Sequence, residues 1–380
     1  MKILKTLTII AIVTVVCISI VVLGVISRGR RQPSLIKDNT LNDYLNEPVW
    51  SFYTDDPITS TPAQDGYNIY LRTSSFILAL DALTGEKIWQ VDSPAESSLS
   101  MSPYIVDQYL VVPEKGSRIV VIDKESGNVV WKSAAIDTAF THSVTAEIQS
   151  VTSSNNILYI ARFDWKLTAY NLKTGKVMWE QKALGRSNPY LASNTNAVFL
   201  GAGDQLNAYD SQTGKISWTI DINGYIGPIL LDVDKNTLFV TNEDSPSLMA
   251  IDINNKKILW EQYLAQLDTY EFGCLIKDED VLYIAAEEVL ALSSINGEIK
   301  WQTSKLGRLE CPAVINNQLY VRNNDIFLYG FDLNSGKELG GLVVQKNTFM
   351  KHMPNRSPIV SGYLFILPIT ENILNAYDPD

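Results

Sequence analysis

The chain has 380 residues, of which 46% are hydrophobic, and its formal net charge is −11 at pH 7. This hydrophobic content is enough for a large buried core. The 42 acidic residues outnumber the 31 basic ones, and such a surface repels nucleic acid and anionic lipid, so no nucleic-acid partner is expected.

The N-terminal segment is apolar. Residues 7–26 contain no charged side chain, and about 20 apolar residues suffice to cross ~30 Å of hydrocarbon. A cleaved signal peptide is the alternative, but no small-residue cleavage site follows the segment, and the bulky Val16 precedes Cys17 where a lipoprotein signal needs a small residue. We therefore expect residues 1–27 to form one uncleaved transmembrane helix, in the membrane through residues 3–27.

A polar tether is expected after the anchor, over residues 28–48, where Pro33, Lys37, Asp38 and several Asn residues occur. The positive charges on the two sides of the anchor are nearly balanced, so the positive-inside rule barely decides the orientation.

Residues 49–380 repeat one pattern, in which an aliphatic strand leads to Asp or a substitute, and usually to Trp eight residues later. The Asp positions are Asp81, Asp123, Asn171, Asp210, Asp252, Ser293, Asp332 and Asp378. The positions eight residues later are Trp89, Trp131, Trp179, Trp218, Trp260, Trp301 and Gly340. A period of about 40 residues indicates a stack of similar supersecondary units, here an all-β propeller.

Each unit predicts a four-stranded antiparallel blade. In the third unit, the alternating strand 167–171 is followed by a tight turn with Gly175, and the outermost strand begins at Val177. The residue two positions before each Asp position is small: Ala79, Val121, Ala169, Ala208, Ala250, Ala291, Gly330 and Ala376. These small residues leave room for the repeating Trp, which we interpret as structural packing between blades.

The ends of the repeat predict the blade count. The last unit reaches Ala376 without a turn Gly or an outer strand, whereas Trp50 belongs to an outer strand that has no blade before it. We therefore expect Trp50 to supply the missing strand, which closes a monomeric ring of eight blades without a long open edge.

Two cysteines outside the apolar segment, Cys274 and Cys311, occupy equivalent positions in consecutive units, 37 residues apart. Equivalent points on neighbouring inner strands lie roughly 6–8 Å apart, at the edge of the distance that a disulfide can span. Two buried free thiols that act as small apolar residues are the simpler interpretation, and a disulfide is the alternative.

These repeats resemble the pyrroloquinoline-quinone (PQQ) type repeat, whose consensus is roughly Ala-Leu-Asp-x-x-Thr-Gly-Lys-x-x-Trp. Segments 81–89 and 210–218 match it closely, and the resemblance covers residues 50–380. The repeat occurs in quinone-dependent dehydrogenases and in proteins without a cofactor, such as the scaffold lipoprotein of the outer-membrane β-barrel assembly machinery. The resemblance therefore specifies the fold better than the function.

A dehydrogenase of this type would need calcium and quinone over the central channel, and the acids at the predicted second hairpins could supply ligands. The vicinal Cys-Cys pair and the insertions that the resemblance would imply are missing from the sequence. We therefore expect no PQQ, calcium or other cofactor, no metal site and no catalytic residue. The alternative is a PQQ-dependent oxidoreductase of alcohols or sugars.

The favoured function is a protein-binding or assembly scaffold at the cell envelope, with the propeller outside the cytoplasm, a placement that rests mostly on the resemblance. Two departures from the repeat are candidate contact sites. The third unit is extended around residues 135–156, which include His142, and Trp165 follows as the one Trp outside the repeat. The seventh unit is followed by a basic segment with apolar residues, 345–356, whose candidate contacts are Lys346, Phe349, Met350, Lys351, His352 and Arg356.

Three arginines, Arg72, Arg162 and Arg322, lie nine or ten residues before their Asp positions. They could point to one mouth of the channel and hold an anionic group. Pairing with acids at the surface is the alternative.

Overall fold

The computed structural model describes residues 48–92, 102–114, 118–134, 148–182, 189–264, 267, 272–323, 327–343, 359–361, 364–370 and 372–377. Every regular element in these ranges is a β-strand, so the predicted all-β class is confirmed. A helix that is long and apolar enough to span a bilayer does not occur in the described ranges. The predicted anchor, and the predicted tether up to residue 47, lie outside them.

The strands form eight four-stranded antiparallel sheets. Sheets 1 to 4 contain strands β2 to β17 in chain order. Their strands are β2 Ala63–Gln64, β3 Asn68–Arg72, β4 Phe76–Asp81 and β5 Lys87–Asp92 in sheet 1; β6 Tyr104–Val106, β7 Tyr109–Glu114, β8 Arg118–Asp123 and β9 Val129–Lys132 in sheet 2; β10 Ile148–Ser154, β11 Ile157–Arg162, β12 Lys166–Asn171 and β13 Val177–Lys182 in sheet 3; β14 Tyr190–Ser193, β15 Ala197–Ala202, β16 Gln205–Asp210 and β17 Ile216–Asp221 in sheet 4.

The other four sheets follow in chain order, and the last of them also takes β1, Trp50–Tyr53. Their strands are β18 Ile226–Asp232, β19 Thr237–Asn242, β20 Ser247–Asp252 and β21 Lys257–Tyr263 in sheet 5; β22 Cys274–Asp278, β23 Val281–Ala285, β24 Val289–Ser293 and β25 Ile299–Gln302 in sheet 6; β26 Ala313–Ile315, β27 Gln318–Arg322, β28 Phe327–Asp332 and β29 Glu338–Val343 in sheet 7; β30 Ile359–Ser361, β31 Leu364–Thr370 and β32 Ile373–Tyr377 with β1 in sheet 8.

The sheets pack face to face like the blades of a propeller. The first strands of neighbouring sheets contact one another, as in the pairs β2–β6, β10–β14, β14–β18 and β18–β22. Proline precedes several first strands, for example Pro62 before β2 and Pro189 before β14. Proline is tolerated there because no ladder donor is lost at a strand's first residue.

The Asp positions organise the turns between third and fourth strands. The Asp210 carboxylate accepts hydrogen bonds from the Thr213 hydroxyl at 2.7 Å and the Thr213 backbone N–H at 2.8 Å, and these bonds hold the pKa of Asp210 below its usual value. Asn171 makes the same pair of bonds with Thr174, so the position requires an acceptor oxygen rather than a charge.

Both faces of sheets 1 to 6 are buried, which explains the near-continuous apolar runs of their second and third strands. In β3, Ile69 and Leu71 belong to the core shared with sheet 8, whereas Tyr70 between them belongs to the core shared with sheet 2. Seven apolar clusters of the described residues each join two neighbouring sheets in this way.

The repeating Trp of one sheet packs on the turn of the next. Trp179 of sheet 3 is 8% exposed, and its Nε1 donates a hydrogen bond to the Ser211 carbonyl of sheet 4 at 2.9 Å. A Cβ on Gly214 would lie 2.6 Å from the indole of Trp179. The other turn glycines, Gly85, Gly127, Gly175, Gly297 and Gly336, stand in the same relation to a Trp of the preceding sheet, at 2.5–2.7 Å.

The first described strand belongs to the last sheet. β1 pairs with β32, and Trp50 lies opposite Ala376, as Trp89 lies opposite Ala79 within sheet 1. Trp50 also donates a hydrogen bond to the Ala82 carbonyl of sheet 1 at 3.2 Å. Trp50 therefore has the position in sheet 8 that the repeating Trp has in the other sheets.

Sheet 7 departs from this rule because Gly340 lies opposite Gly330 where the other sheets pair Trp with a small residue. In the other sheets, the Trp packs on the turn that joins the third and fourth strands of the following sheet. In sheet 8 these two strands are β32 and β1, which lie at opposite ends of the described chain, so no hairpin turn joins them. An indole at position 340 would therefore lack the turn on which its counterparts pack.

Cys274 and Cys311 form a disulfide, with their Cα atoms 5.0 Å apart. Our simpler interpretation, two free thiols, is therefore wrong. Neighbouring first strands come closer than we estimated, and 5.0 Å lies within the range that a disulfide spans. The bond links sheet 6, where Cys274 begins β22, to the segment that leads into β26 of sheet 7.

We expect Gly214→Ala to lower the free energy of unfolding by about 2–5 kcal/mol, measured by chemical denaturation. The backbone φ of Gly214 is +69°, which costs an L-residue about 1–2 kcal/mol, and overpacking against Trp179 adds about 1–3 kcal/mol. Gly66→Ala is the matched control, because its φ is +92° but nothing lies within 4 Å of its Cβ. Equal losses in the two variants would show that the contact with Trp179 contributes nothing.

We expect the double variant Cys274→Ser/Cys311→Ser to unfold with a free energy about 3–4 kcal/mol lower than the wild type, because the bond closes a loop of 37 residues. A thiol reductant should lower the thermal midpoint of the wild type and leave that of the variant unchanged. A wild-type midpoint that is insensitive to reductant under unfolding conditions would contradict the disulfide.

Candidate functional site

Each sheet has an upper end, where the second strand turns into the third. The described turns at this end are 72–76, 162–166, 202–205, 242–247 and 285–289. First strands begin and fourth strands finish at the same end, because the strands are antiparallel. The lower end carries the turns between the first and second strands and the Asp turns.

Arg162 is held within its own sheet at the upper end of sheet 3. Its side chain is 3% exposed, and its Nε lies 3.0 Å from the Asp164 carboxylate. Its Nη2 lies 3.4 Å from Glu180, which also binds Lys166 at 2.7 Å. Hydrogen bonds and these cations hold the pKa of Glu180 below its usual value although burial opposes the shift. Arg162 is therefore already paired with two carboxylates.

Arg72 occupies the end of β3, where its side chain is completely buried. Its Nη1 donates a hydrogen bond to the Pro113 carbonyl of sheet 2. Burial lowers the pKa of Arg72, and the nearby Glu114 opposes that shift. Burial also raises the pKa of Glu114, while Lys132, Arg118 and Arg72 act in the opposite direction. Arg72 and Glu114 therefore compensate each other across the joint between sheets 1 and 2.

Arg322 is the register equivalent of Arg72, since Arg72 pairs with Ile77 and Arg322 with Leu328 at the same level of their sheets. It is 2% exposed. All three arginines thus lie at upper ends, but they are buried side chains rather than exposed ones. Arg162 pairs with carboxylates that are partly exposed, since the side chains of Asp164 and Glu180 are 26% and 38% exposed. A shared anion site of the three arginines at one channel mouth stays a prediction.

The acids at the upper end do not converge in the described part of the chain. No group of three or more His, Cys, Asp or Glu side chains comes together there in a way that could hold a metal ion. Glu114 and Glu288 are buried, whereas Asp204 and Asp244 are exposed in turns.

The hairpin of sheet 3 exposes an aromatic side chain at the upper end. Phe163 is 40% exposed, whereas Trp165, two residues later, packs against the apolar cluster between sheets 3 and 4. Trp165 has a φ of +59°, a left-handed conformation that is uncommon for a bulky residue. Its N–H donates to the Arg162 carbonyl at 3.0 Å, and the ion pairs of Arg162 fix the turn from below.

Two tyrosines of sheet 5 are also exposed at the upper end, Tyr225 beside the start of β18 and Tyr263 at the end of β21. For the hairpin of sheet 3, the sequence pointed to this end through Trp165 and Arg162. The exposure of Phe163 escaped sequence analysis because an aromatic residue in a short turn is equally compatible with burial.

The other predicted contacts lie outside the described residues. Segment 345–356, with its six candidate side chains, joins β29 to β30, and His142 precedes β10. The described residues therefore leave these two predictions untested.

The chain is similar to two kinds of known protein. The family model described as outer membrane protein assembly factor BamB matches residues 40–219 and 164–273. BamB of Yersinia pestis is 21% identical over 349 residues, which cover 83% of each chain. The quinoprotein alcohol dehydrogenase PedH of Pseudomonas putida is 24% identical over 195 residues, which cover 47% of this chain and 33% of PedH.

The crystal structure of BamB from Moraxella catarrhalis superposes with a TM-score of 0.64 at 16% identity, covering 87% of this chain and 99% of that one. This likeness shows a shared propeller-like fold. The two overlapping matches to the family model span more than half of the chain. The chain therefore belongs to the PQQ-type repeat family described as outer membrane protein assembly factor BamB.

Proposed function

We propose that this protein is a non-catalytic propeller that binds partner proteins at the cell envelope and serves as an assembly scaffold. The observation that carries the proposal is the Phe163 hairpin, which exposes an aromatic side chain on a turn fixed by the ion pairs of the buried Arg162. Aromatic side chains on rigid supports dominate protein interfaces, because they bury a large area and lose little entropy. Strained turns persist only where surrounding contacts hold them, and they cluster at functional sites.

We infer that the eight sheets close into one eight-bladed ring. Three contacts support closure: β1 pairs with β32, Trp50 packs on Gly85 of sheet 1, and β2 contacts both β6 and β30. A closed ring leaves no long open sheet edge and makes the upper ends one continuous, rigid surface. Such a surface suits a scaffold, because little conformational freedom is lost on binding.

The proposal places the propeller outside the cytoplasm, with residues 3–27 as its membrane anchor. The Cys274–Cys311 disulfide supports this location, because disulfides form and persist in oxidising compartments and are rare in the cytosol. The relatives named BamB are described as outer membrane assembly factors, which accords with an envelope location. We propose that segment 345–356 contributes to the same contact surface, because both of its neighbouring strands meet it at their upper ends.

The proposed contact can be tested with a photo-crosslinking residue at position 163 in the full-length chain in native membranes. We expect a discrete adduct with a partner protein, and we expect Phe163→Ala to weaken co-purification of that partner about tenfold or more, as for an aromatic hot spot. The thermal midpoint of this variant should stay unchanged. Position 67 is the matched control, because Tyr67 is 81% exposed but lies at the lower end.

Equal adducts from positions 163 and 67 would refute a specific upper surface. A further variant that lacks residues 345–356 tests the second part of the proposed surface. If this deletion leaves the adduct and the co-purification unchanged, the segment has no contact role.

The second candidate function is a PQQ-dependent oxidoreductase, which the similarity to PedH favours. Purified full-length protein incubated with PQQ and calcium should show neither bound-cofactor absorbance nor dye-linked oxidation of alcohols or sugars. Either signal, if it is lost on removal of the quinone, would overturn the scaffold proposal. A quinoprotein dehydrogenase treated in parallel controls for the reconstitution.

A further inference from the structure

Three sheets carry an aspartate at the same place near the lower end of the first strand. In sheets 1, 5 and 6 the residues that pair with Tyr70, Phe239 and Tyr283 are Ala63, Leu230 and Ile276. Two residues after each of them comes an acid: Asp65, Asp232 and Asp278. The surroundings of an equivalent carboxylate can therefore be compared at three joints between neighbouring sheets, namely sheets 1 and 2, sheets 5 and 6, and sheets 6 and 7.

Two of these carboxylates are neutralised by a lysine of the following sheet. Lys124, the residue after the Asp position of sheet 2, lies with its Nζ 3.0 Å from Asp65 Oδ2. Lys277, in the first strand of sheet 6, lies with its Nζ 3.0 Å from Asp232 Oδ2. The side chains of Asp65 and Asp232 are only 14% and 7% exposed, so a nearby cation offsets their partial desolvation.

The third carboxylate, Asp278, has no lysine at either of the equivalent positions in sheet 7. In sheet 7, the position equivalent to Lys277 is Val314, which follows the residue that pairs with Tyr320. The position equivalent to Lys124 is Leu333, the residue after Asp332. Among the described residues, no Lys or Arg forms an ion pair with Asp278. The next residue, Glu279, adds a second carboxylate to the same place.

A cavity of about 420 Å³ lies where the two lysines would be, between sheets 6 and 7. Asp278, Glu279, Tyr283, Asn316, Asn317 and Asn334 supply its polar lining, and Val314 and Leu333 contribute apolar surface. The polar lining thus offers two carboxylates, three side-chain amides and one phenol. Oxygen atoms of these kinds are the ligands of hard divalent cations.

Tyr283 provides an independent sign of a missing ligand. Its side chain is 1% exposed, it lines the cavity, and its hydroxyl has no hydrogen-bond partner in the described part of the chain. In sheet 1, by contrast, the hydroxyl of the equivalent Tyr70 donates to Asp65 at 3.0 Å. Asp278 and Glu279 line the same cavity as Tyr283.

We propose that the cavity between sheets 6 and 7 binds one hydrated divalent cation, of which calcium is the best fit, in place of the lysines that serve the other two joints. A charge of +2 matches the two carboxylates. The volume exceeds that of a bare ion, so the cation keeps several waters and reaches some ligands through them. The ion bridges the sheets that the Cys274–Cys311 disulfide also joins, and it is independent of the proposed scaffold function.

Isothermal titration of calcium into the metal-free full-length protein tests the proposal directly. We expect one site with a Kd on the order of 10⁻⁴–10⁻³ M, as in partly exposed extracellular sites. Saturating calcium should raise the thermal midpoint by about 2 °C, as expected for a concentration about tenfold above Kd in a domain of this size. Asp278→Asn/Glu279→Gln should weaken binding at least tenfold.

Asp107→Asn/Asp234→Asn is the matched control. It removes the same charge from exposed acids in the corresponding turns of sheets 2 and 5, and it should bind calcium like the wild type. If the wild type shows no saturable binding, or if the control variant loses binding equally, the site does not exist.

Val314→Lys adds a test that does not depend on loss of structure. It places an ammonium group at the position equivalent to Lys277, which pairs with Asp232 between sheets 5 and 6. This variant should therefore be at least as stable as the metal-free wild type, and it should no longer bind calcium. Unchanged calcium affinity in a folded Val314→Lys protein would show that the ion binds elsewhere and would overturn the proposal.

Discussion

The contact on which the structure depends is the packing of an indole from one sheet on the turn glycine of the next. Each such Trp buries an area on the order of 200 Å², and at Trp179 the indole also donates a hydrogen bond to the neighbouring backbone. The small residue opposite the Trp and the positive φ of the turn glycine both serve this contact, since either a larger residue or a Cβ would fill the space of the ring.

The departures from the repeat have separate physical causes. Gly340 replaces Trp where the following sheet has no turn to pack against, because β32 and β1 are distant in the chain. Lys256 replaces the turn glycine in sheet 5 and still adopts a φ of +56°, so the turn keeps its conformation without a glycine. Asp278 keeps the acid of its position but loses the lysine, which leaves a polar cavity at the joint.

The proposed contacts of this protein lie at the ends of the sheets rather than in their cores, because the cores are occupied by the packing between sheets. The three buried arginines illustrate the difference. Arg162 and Arg72 have upper-end positions that suggested a ligand site, but their partners are Asp164, Glu180 and the Pro113 carbonyl. These bonds stiffen the hairpins, and the pairs of Arg162 hold the turn that carries the exposed Phe163.

The sequence by itself determined the all-β class, the four-stranded unit and the roles of Asp210 and Trp179 within it, because these depend on spacing along one continuous stretch of chain. It also predicted that Trp50 belongs to the outer strand of the last unit, since that unit is incomplete, and the structure pairs Trp50 with Ala376. Only the tertiary structure decided that Cys274 bonds to Cys311, that Asp278 faces Val314 and Leu333, and that Phe163 is exposed. Each of these facts depends on contacts with a neighbouring sheet or with solvent. The distance between neighbouring sheets and their relative height decide such contacts, and the pattern within one repeat encodes neither.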